Sequence, residues 1–205
     1  MVRTSSTMLA LGTILPPFSL NIVQGTNLKG SYENDIRIID SKRFDQKPLL
    51  LMLICAHCPF VKNIETQITE LEKDFGDLID MIAISSNSLI THPEDSPDDL
   101  AEQANRNGWG FPYLFDQDQS LAKSLKAACT PDFFLFSPIV NGEQQLSYRG
   151  RLDGSSPGND QSVTGEDLRL ALNAILKRRL PNENQKPSIG CNIKWHPGKE
   201  PSWFG

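Results

Sequence analysis

The stretch Pro48-Leu49-Leu50-Leu51-Met52-Leu53-Ile54-Cys55-Ala56-His57-Cys58-Pro59 decides the architecture of this chain. An unbroken apolar run follows a proline and stops at a cysteine. So short a run, bounded by turn signals, fits a strand buried on both faces at the centre of a sheet. Beyond the second cysteine the period changes. Val61, Ile64, Ile68, Leu71 and Phe75 recur at three- and four-residue spacing, which predicts the apolar face of a helix stopped at Gly76. Cys55 and Cys58 therefore stand where a buried strand gives way to an amphipathic helix.

Working outward, Met81-Ile82-Ala83-Ile84 predicts a second buried strand, joined to the first through the helix, and hence a parallel βαβ unit. Ser96-Pro97-Asp98-Asp99 reads as a helix start: a serine cap, proline at the first helical position and acids in the first turn, with Gly108 beyond the end. A short strand is expected over 111–115 and a short helix over 119–126. Phe133-Phe134-Leu135-Phe136 is strongly strand-like, and Asn141-Gly142 is a hairpin signal that joins it to 145–149. Thr164-Gly165-Glu166-Asp167 opens a last helix with Leu168, Leu170, Ala171, Leu172, Ile175 and Leu176 apolar, which Pro181 ends. Upstream, residues 9–20 form a lead-in to a short strand, and 25–47 a polar loop or hairpin bearing Ile36, Ile38 and Ile39. The predicted class is α/β, a mixed sheet flanked by helices. Residues 1–180 make one domain, and 181–205 a C-terminal tail packing on it.

At 205 residues, 39% hydrophobic and 22% charged, the chain is long and apolar enough to bury a core. A net charge of −5 argues against nucleic acid or an anionic membrane as partner. The run Lys177-Arg178-Arg179 ends a helix, where cations complement the macrodipole. No stretch reaches the ~20 apolar residues of a spanning helix. Gly12 and Pro16-Pro17 interrupt Met8-Leu9-Ala10-Leu11, so the N-terminus does not read as a signal peptide, and a cytoplasmic location is expected. Neither a P-loop nor a dinucleotide fingerprint is present. No cofactor and no metal are expected.

The four cysteines, at 55, 58, 129 and 191, are too few for a disulfide scaffold, and a close pair in a cytosolic chain points to redox chemistry or metal. At a helix start the unpaired N–H groups and the macrodipole stabilise a thiolate. Three residues on, Cys58 is one turn away and can close a disulfide back to Cys55. Cys55 is thus read as the attacking thiolate and Cys58 as the resolving thiol. His57, between them, would favour the thiolate further if charged or hydrogen-bonded toward sulfur, and Pro59 sits in the first helical turn, where a missing N–H costs least.

Ala128-Cys129-Thr130-Pro131-Asp132, directly before the aromatic strand, adds a second feature. Here the chain resembles the thioredoxin superfamily, in which a Thr-Pro or Ile-Pro loop with a cis proline faces the CxxC pair and leaves the preceding backbone free to hydrogen-bond an extended substrate. The resemblance implies that Thr130 and Pro131 form a substrate-docking loop opposite Cys55. More closely, GTILPPFSL (12–20) is similar to the opening segment of the redoxin (AhpC/TSA-like) branch. The runs CAHCPFVK, SPDDL, FPYLFDQDQ, CTPDFFLF, YRGRLD and QKPSIGCNIKW resemble a group of bacterial thioredoxin-family proteins with a CxHCP site and a PSIGCNIKW tail. That resemblance implies a thioredoxin-like fold with an N-terminal extension. It also implies a thiol–disulfide oxidoreductase acting on protein or small-molecule disulfides, with thioredoxin or glutathione as electron donor. Thioredoxin itself has Trp before its first cysteine and Gly-Pro between the pair, where this chain has Ile54 and Ala56-His57. It carries a buried acid where this chain has Leu49.

Two other functions compete. Pro48, Met52 and Cys55 match the spacing of the peroxiredoxin Pro-x-x-x-Thr-x-x-Cys motif, which implies a thiol peroxidase with Cys55 as peroxidatic thiol and Arg149 or Arg151 stabilising it. Met52, however, cannot donate the threonine's hydrogen bond. Alternatively Cys55, Cys58 and Cys191 with His57 or His196 make a Cys/His metal module, although no second close pair is present. Cys129, next to the docking loop, is a candidate third thiol, with a small buried packing residue the favoured reading. The tail is expected to fold back and bring Cys191 to the pair as a third thiol or gate, with Trp195 and Trp203 as a clasp or dimer contact. His92-Pro93-Glu94-Asp95 reads as a solvated acidic loop.

Overall fold

The structure is a computed structural model that describes residues 3–32, 36–44, 46–138 and 142–203. Arg3–Ser5 forms a first strand, β1, and Ser19–Ile22 a second, β2, which pairs antiparallel with Ile38–Asp40, β3. The expected hairpin around Ile38 and Ile39 is therefore present. The apolar run forms Leu49–Leu53, β4, every residue of it buried. Its alternate side chains serve two different cores. Leu50 and Met52 join one apolar cluster and Leu49, Leu51 and Leu53 the other, the division that a strand with period two must make when both sheet faces are covered.

The expected helix after the cysteines arrives in two pieces, Pro59–Lys62 (α1) and Glu65–Phe75 (α2), separated at Asn63–Ile64. Asp80–Ser85 (β5) pairs parallel with β4 in register Leu50↔Met81, which closes the predicted βαβ unit. Pro97–Asn107 (α3) starts as the sequence signals: the Ser96 hydroxyl accepts from the Asp99 N–H, and Gly108 ends the helix at φ 69°. Tyr113–Phe115 (β6) runs parallel to β5, and Ser120–Ser124 (α4) follows.

Cys129–Thr130 (β7) and Asp132–Phe136 (β8) flank Pro131, and β8 pairs antiparallel with β4 and with Leu146–Gly150 (β9). The hairpin that Asn141-Gly142 signals thus has its two strands in place, while Asn141 itself lies outside the described residues. Glu166–Leu176 (α5) buries Leu168, Ala171, Leu172 and Ile175, while Leu170 of the expected apolar set is exposed on the opposite face. The large sheet is mixed, in the order β3-β2-β6-β5-β4-β8-β9. The apolar residues of α2, α3 and α5 pack on one face and those of α4 on the other.

Ile189–Asn192 (β10), in the tail, lies between β1 and β7 in a separate three-stranded sheet. Its register is Cys191↔Thr130 on one side and Cys191↔Arg3 on the other. Trp195 is buried in the α4-side core, and Trp203 is partly exposed. Among the described residues no helix is long and apolar enough to cross a membrane.

Candidate functional site

Strand β4 carries Cys55 to the carboxyl end of the central sheet, where parallel α/β sheets place their ligands. Cys58 is the residue that caps α1, with Pro59 at that helix's first position. Both thiols are fully buried, and no disulfide joins any of the four cysteines. Facing them is the Thr130–Pro131 peptide, which is cis. The Thr130 hydroxyl lies 3.5 Å from Cys55 Sγ, and the Thr130 carbonyl accepts from the Cys58 thiol at 3.3 Å. One residue thus touches both sulfurs, through its side chain and through its backbone.

His57 is fixed by a group that the sequence reading missed. Asp95, read as part of a solvated loop, is fully buried, and that expectation is corrected here. Its Oδ1 accepts from the Ala56 N–H (2.9 Å) and the His57 N–H (3.1 Å), and its Oδ2 from Asn87 Nδ2 (2.7 Å). Oδ2 also pairs with His57 Nδ1 at 2.6 Å, and the same nitrogen is 3.8 Å from Cys55 Sγ. The Pro93–Asp95 turn folds inward because this carboxylate satisfies backbone donors at the turn between β4 and α1 that no helix supplies. Nothing local in the sequence marks it, since the partners lie 38 or 39 positions apart. Gln103 is a second brace absent from the sequence reading. Its amide donates to the Cys55 carbonyl (3.2 Å), and its oxygen accepts from the Tyr113 hydroxyl (3.1 Å).

The electrostatics follow from these contacts. Hydrogen bonding to Asp95 raises the His57 pKa above its ordinary value despite partial burial. Burial alone would raise Asp95, yet the bonds from His57 and Asn87 outweigh it and hold the carboxyl below the usual range. Among the thiols, hydrogen bonds from Cys191 and then Cys55 converge on Cys58 and lower it, while burial pushes Cys55 up.

The remaining expected residues are distributed as follows. Cys191 is buried against Cys58. Cys129 is fully buried, with its sulfur 3.8 Å from the Pro131 carbonyl and 4.0 Å from that of Ser188, a packing position. Arg149 bonds Gln185 (2.8 Å) and Arg151 bonds Asp167 (2.6 Å). His196 is held by Ser88 (2.8 Å) and the Gln117 carbonyl (2.7 Å) and does not join the cysteines. Donor atoms of Cys55, His57 and Asp95 lie within 4.8 Å of one another. They fit a metal poorly, because the Asp95 oxygens and His57 Nδ1 are already committed to each other and to N–H donors.

The sequence profile of the AhpC/TSA family matches residues 11–143. The chain belongs to the AhpC/TSA family. Within its compass, an uncharacterized conserved protein from Geobacillus kaustophilus is 40% identical, with a TM-score of 0.85, the match covering 97% of this chain and 98% of that one. A hypothetical protein from Sinorhizobium meliloti 1021 is 38% identical, with a TM-score of 0.83 and coverage of 95% and 100%. A thioredoxin-like protein in its oxidized form has a TM-score of 0.53 at 18% identity, covering 78% of this chain and 97% of that one, a likeness of fold alone. A search of curated proteins gives no match. This AhpC/TSA chain therefore has the thioredoxin-like α/β fold expected from its sequence, and its family is one of redox enzymes.

Proposed function

We propose that this protein is a thiol–disulfide oxidoreductase in which Cys55 attacks a disulfide and Cys58 resolves the mixed disulfide. The observation that carries the reading is the placing of both sulfurs against one residue, Thr130, of a cis-proline loop. The Cys55 thiolate bonds one sulfur of R–S–S–R′ and expels R′–S⁻. Cys58 then attacks Cys55 Sγ, the Cys55–Cys58 bond forms, and R–S⁻ leaves. The His57–Asp95 pair supplies the proton that a departing thiolate takes up. A raised His57 pKa keeps that proton available near neutrality. Protein or small-molecule disulfides are the substrates in this reading, with thioredoxin or glutathione returning the electrons in a reducing compartment such as the cytoplasm.

Membership of the AhpC/TSA family favours a second reading, thiol peroxidase. There Cys55 attacks a peroxide oxygen, an alcohol or water leaves, and Cys58 condenses with the sulfenic acid as water is lost. Met52 provides no hydroxyl to hold the peroxide, but the Thr130 hydroxyl stands 3.5 Å from the Cys55 sulfur. The deciding experiment equilibrates the protein with glutathione redox buffers and traps its thiols. A two-electron transition lost in both Cys55→Ser and Cys58→Ser supports the dithiol mechanism. A potential near ~−270 mV marks a reductase and one near ~−120 mV an oxidant. Rapid peroxide turnover with slow disulfide exchange overturns the first reading in favour of the second.

A further inference from the structure

The tail strand β10 covers the backbone edge beside the cysteine pair. It pairs with β7 at Cys191↔Thr130, the backbone just ahead of the cis proline. The approach is too close for any side chain at the neighbouring position. A Cβ on Gly190 would lie 2.0 Å from the Thr130 carbonyl oxygen and 2.6 Å from its carbon. This is the same carbonyl that accepts from the Cys58 thiol. Glycine is therefore required here for backbone contact, with no positive φ involved.

Further contacts hold the strand's continuation against the site. Asn87 accepts from the Lys194 N–H at 2.8 Å and donates to Asp95 at 2.7 Å, so the tail shares a hydrogen-bond chain with His57. The Lys194 carbonyl accepts from the Ser88 N–H and from the Gln119 amide. Cys55, Cys58 and Cys191 end in one apolar cluster, all essentially inaccessible to water. Ser188 and Ile189, with Phe60, Ile64 and Pro131, line a cavity of about 180 Å³ beside the cysteine helix, which leaves the strand open space along one side.

We propose that β10 is a built-in occupant of the Thr130 pairing edge and that Cys191, which it carries, is a third exchange thiol forming a disulfide with Cys58. The inference rests on the dithiol reading above and specifies how the oxidised pair is relayed. Starting from Cys55–Cys58, the Cys191 sulfur attacks Cys58 Sγ. The Cys58–Cys191 bond forms, the Cys55–Cys58 bond breaks, and the electron pair goes to Cys55. The Cys191 proton passes to the released Cys55 thiolate, beside His57. No external oxidant or reductant takes part, because one disulfide replaces another. The exchange moves the oxidising bond from the pair to the tail and returns Cys55 as a nucleophile. With β10 docked, neither sulfur of the pair is open to an outside disulfide, so entry of a substrate requires β10 to leave β7.

Disulfide mapping tests this. The wild type, Cys55→Ser and Cys191→Ser proteins are oxidised with diamide, a two-electron thiol oxidant, and digested without reduction for mass spectrometry. Cys55→Ser is expected to yield a Cys58–Cys191 disulfide, and wild type a mixture of Cys55–Cys58 and Cys58–Cys191. If Cys58 and Cys191 both remain alkylatable in Cys55→Ser while wild type forms Cys55–Cys58, the relay is overturned and the dithiol reading stands. If Cys191→Ser forms no Cys55–Cys58 bond, the dithiol reading is the one that fails. Gly190→Ala, checked by circular dichroism for a folded chain, gives an independent measure. Displacing β10 should raise the alkylation rate of Cys55 and Cys58 by about tenfold or more, given the strain of an inserted Cβ. An unchanged rate in a folded Gly190→Ala protein overturns the role of β10 as occupant.

Discussion

Asp95→Asn exchanges one carboxylate oxygen for an amide group and leaves the side-chain shape almost unaltered. The retained oxygen can still accept from the Ala56 and His57 N–H groups. The new NH₂ then faces the Asn87 Nδ2 donor and His57 Nδ1, which the lost oxygen had served at 2.7 and 2.6 Å, and it can pair with His57 Nδ1 only where that nitrogen has lost its proton. Asn87 cannot turn its amide to compensate, because its own oxygen accepts from the Lys194 N–H. Two hydrogen bonds to a charged acceptor contribute roughly 1.5–3 kcal/mol each, and removing one partner of a buried pair costs roughly 3–5 kcal/mol. Relief of the carboxylate's own burial offsets part of this, so the expected loss is about 2–4 kcal/mol.

The pH dependence has a definite sign. His57 is raised in the folded state, so its contribution is complete below its ordinary value of 6.5 and fades as pH rises through the higher folded value. Asp95 is lowered, so its contribution is complete above its ordinary 3.8 and fades as pH falls through the lower folded value. Urea unfolding of wild type and Asp95→Asn should therefore differ most between about pH 4 and pH 6.5, the difference narrowing above that window as the His57 share fades and below it as Asp95 is protonated. Ring-proton NMR should show the His57 pKa falling below its ordinary value in the variant, since burial remains and the acid is gone. Equal stability near pH 5, to within about 0.5 kcal/mol, or an unmoved His57 titration would refute the reasoning.

Three further outcomes follow from single contacts. Asp132 is fully buried, and that burial pushes its carboxyl far up. Wild type should thus lose stability steadily as pH rises above the ordinary 3.8, a slope that Asp132→Asn flattens in pH-dependent denaturation. Thr130→Val removes the hydroxyl beside Cys55 and should slow alkylation of that thiol roughly two- to tenfold in a Gly190→Ala background, with the fold unchanged by circular dichroism. Gly150 has φ 121°, and a Cβ there would meet the Lys186 carbonyl oxygen at 2.1 Å. Gly150→Ala should cost about 2–4 kcal/mol in chemical denaturation.

The large sheet was legible because its central strands announce themselves. Leu49–Leu53 is apolar at every position, and the change of period after Cys58 marks the strand-to-helix junction. The Ser96 cap and Gly108 stop bracket α3 as written in the sequence. The small sheet was not legible, since β1 and β7 are three and two residues long and gain their order only from β10 between them. Within the site, the cysteine pair was readable from motif and spacing, and its facing threonine only through the resemblance to the thioredoxin superfamily. Asp95 was not, because an acid in a polar run looks solvated until a distant turn offers it N–H donors. The split of the cysteine helix into α1 and α2 likewise has no counterpart in the apolar spacing, which runs on across the break.

The order of synthesis gives the small sheet another meaning. The large sheet is complete once β9 has been made, whereas β10 lies about 40 residues further along the chain, roughly 2–8 s later at ordinary elongation rates. In that interval, during which α5 joins the core, Cys55 and Cys58 stand at the end of a finished sheet with the strand that pairs beside them not yet synthesised. Whatever redox couple surrounds the ribosome reaches them first, and the final strand then closes over the oxidation state that it finds.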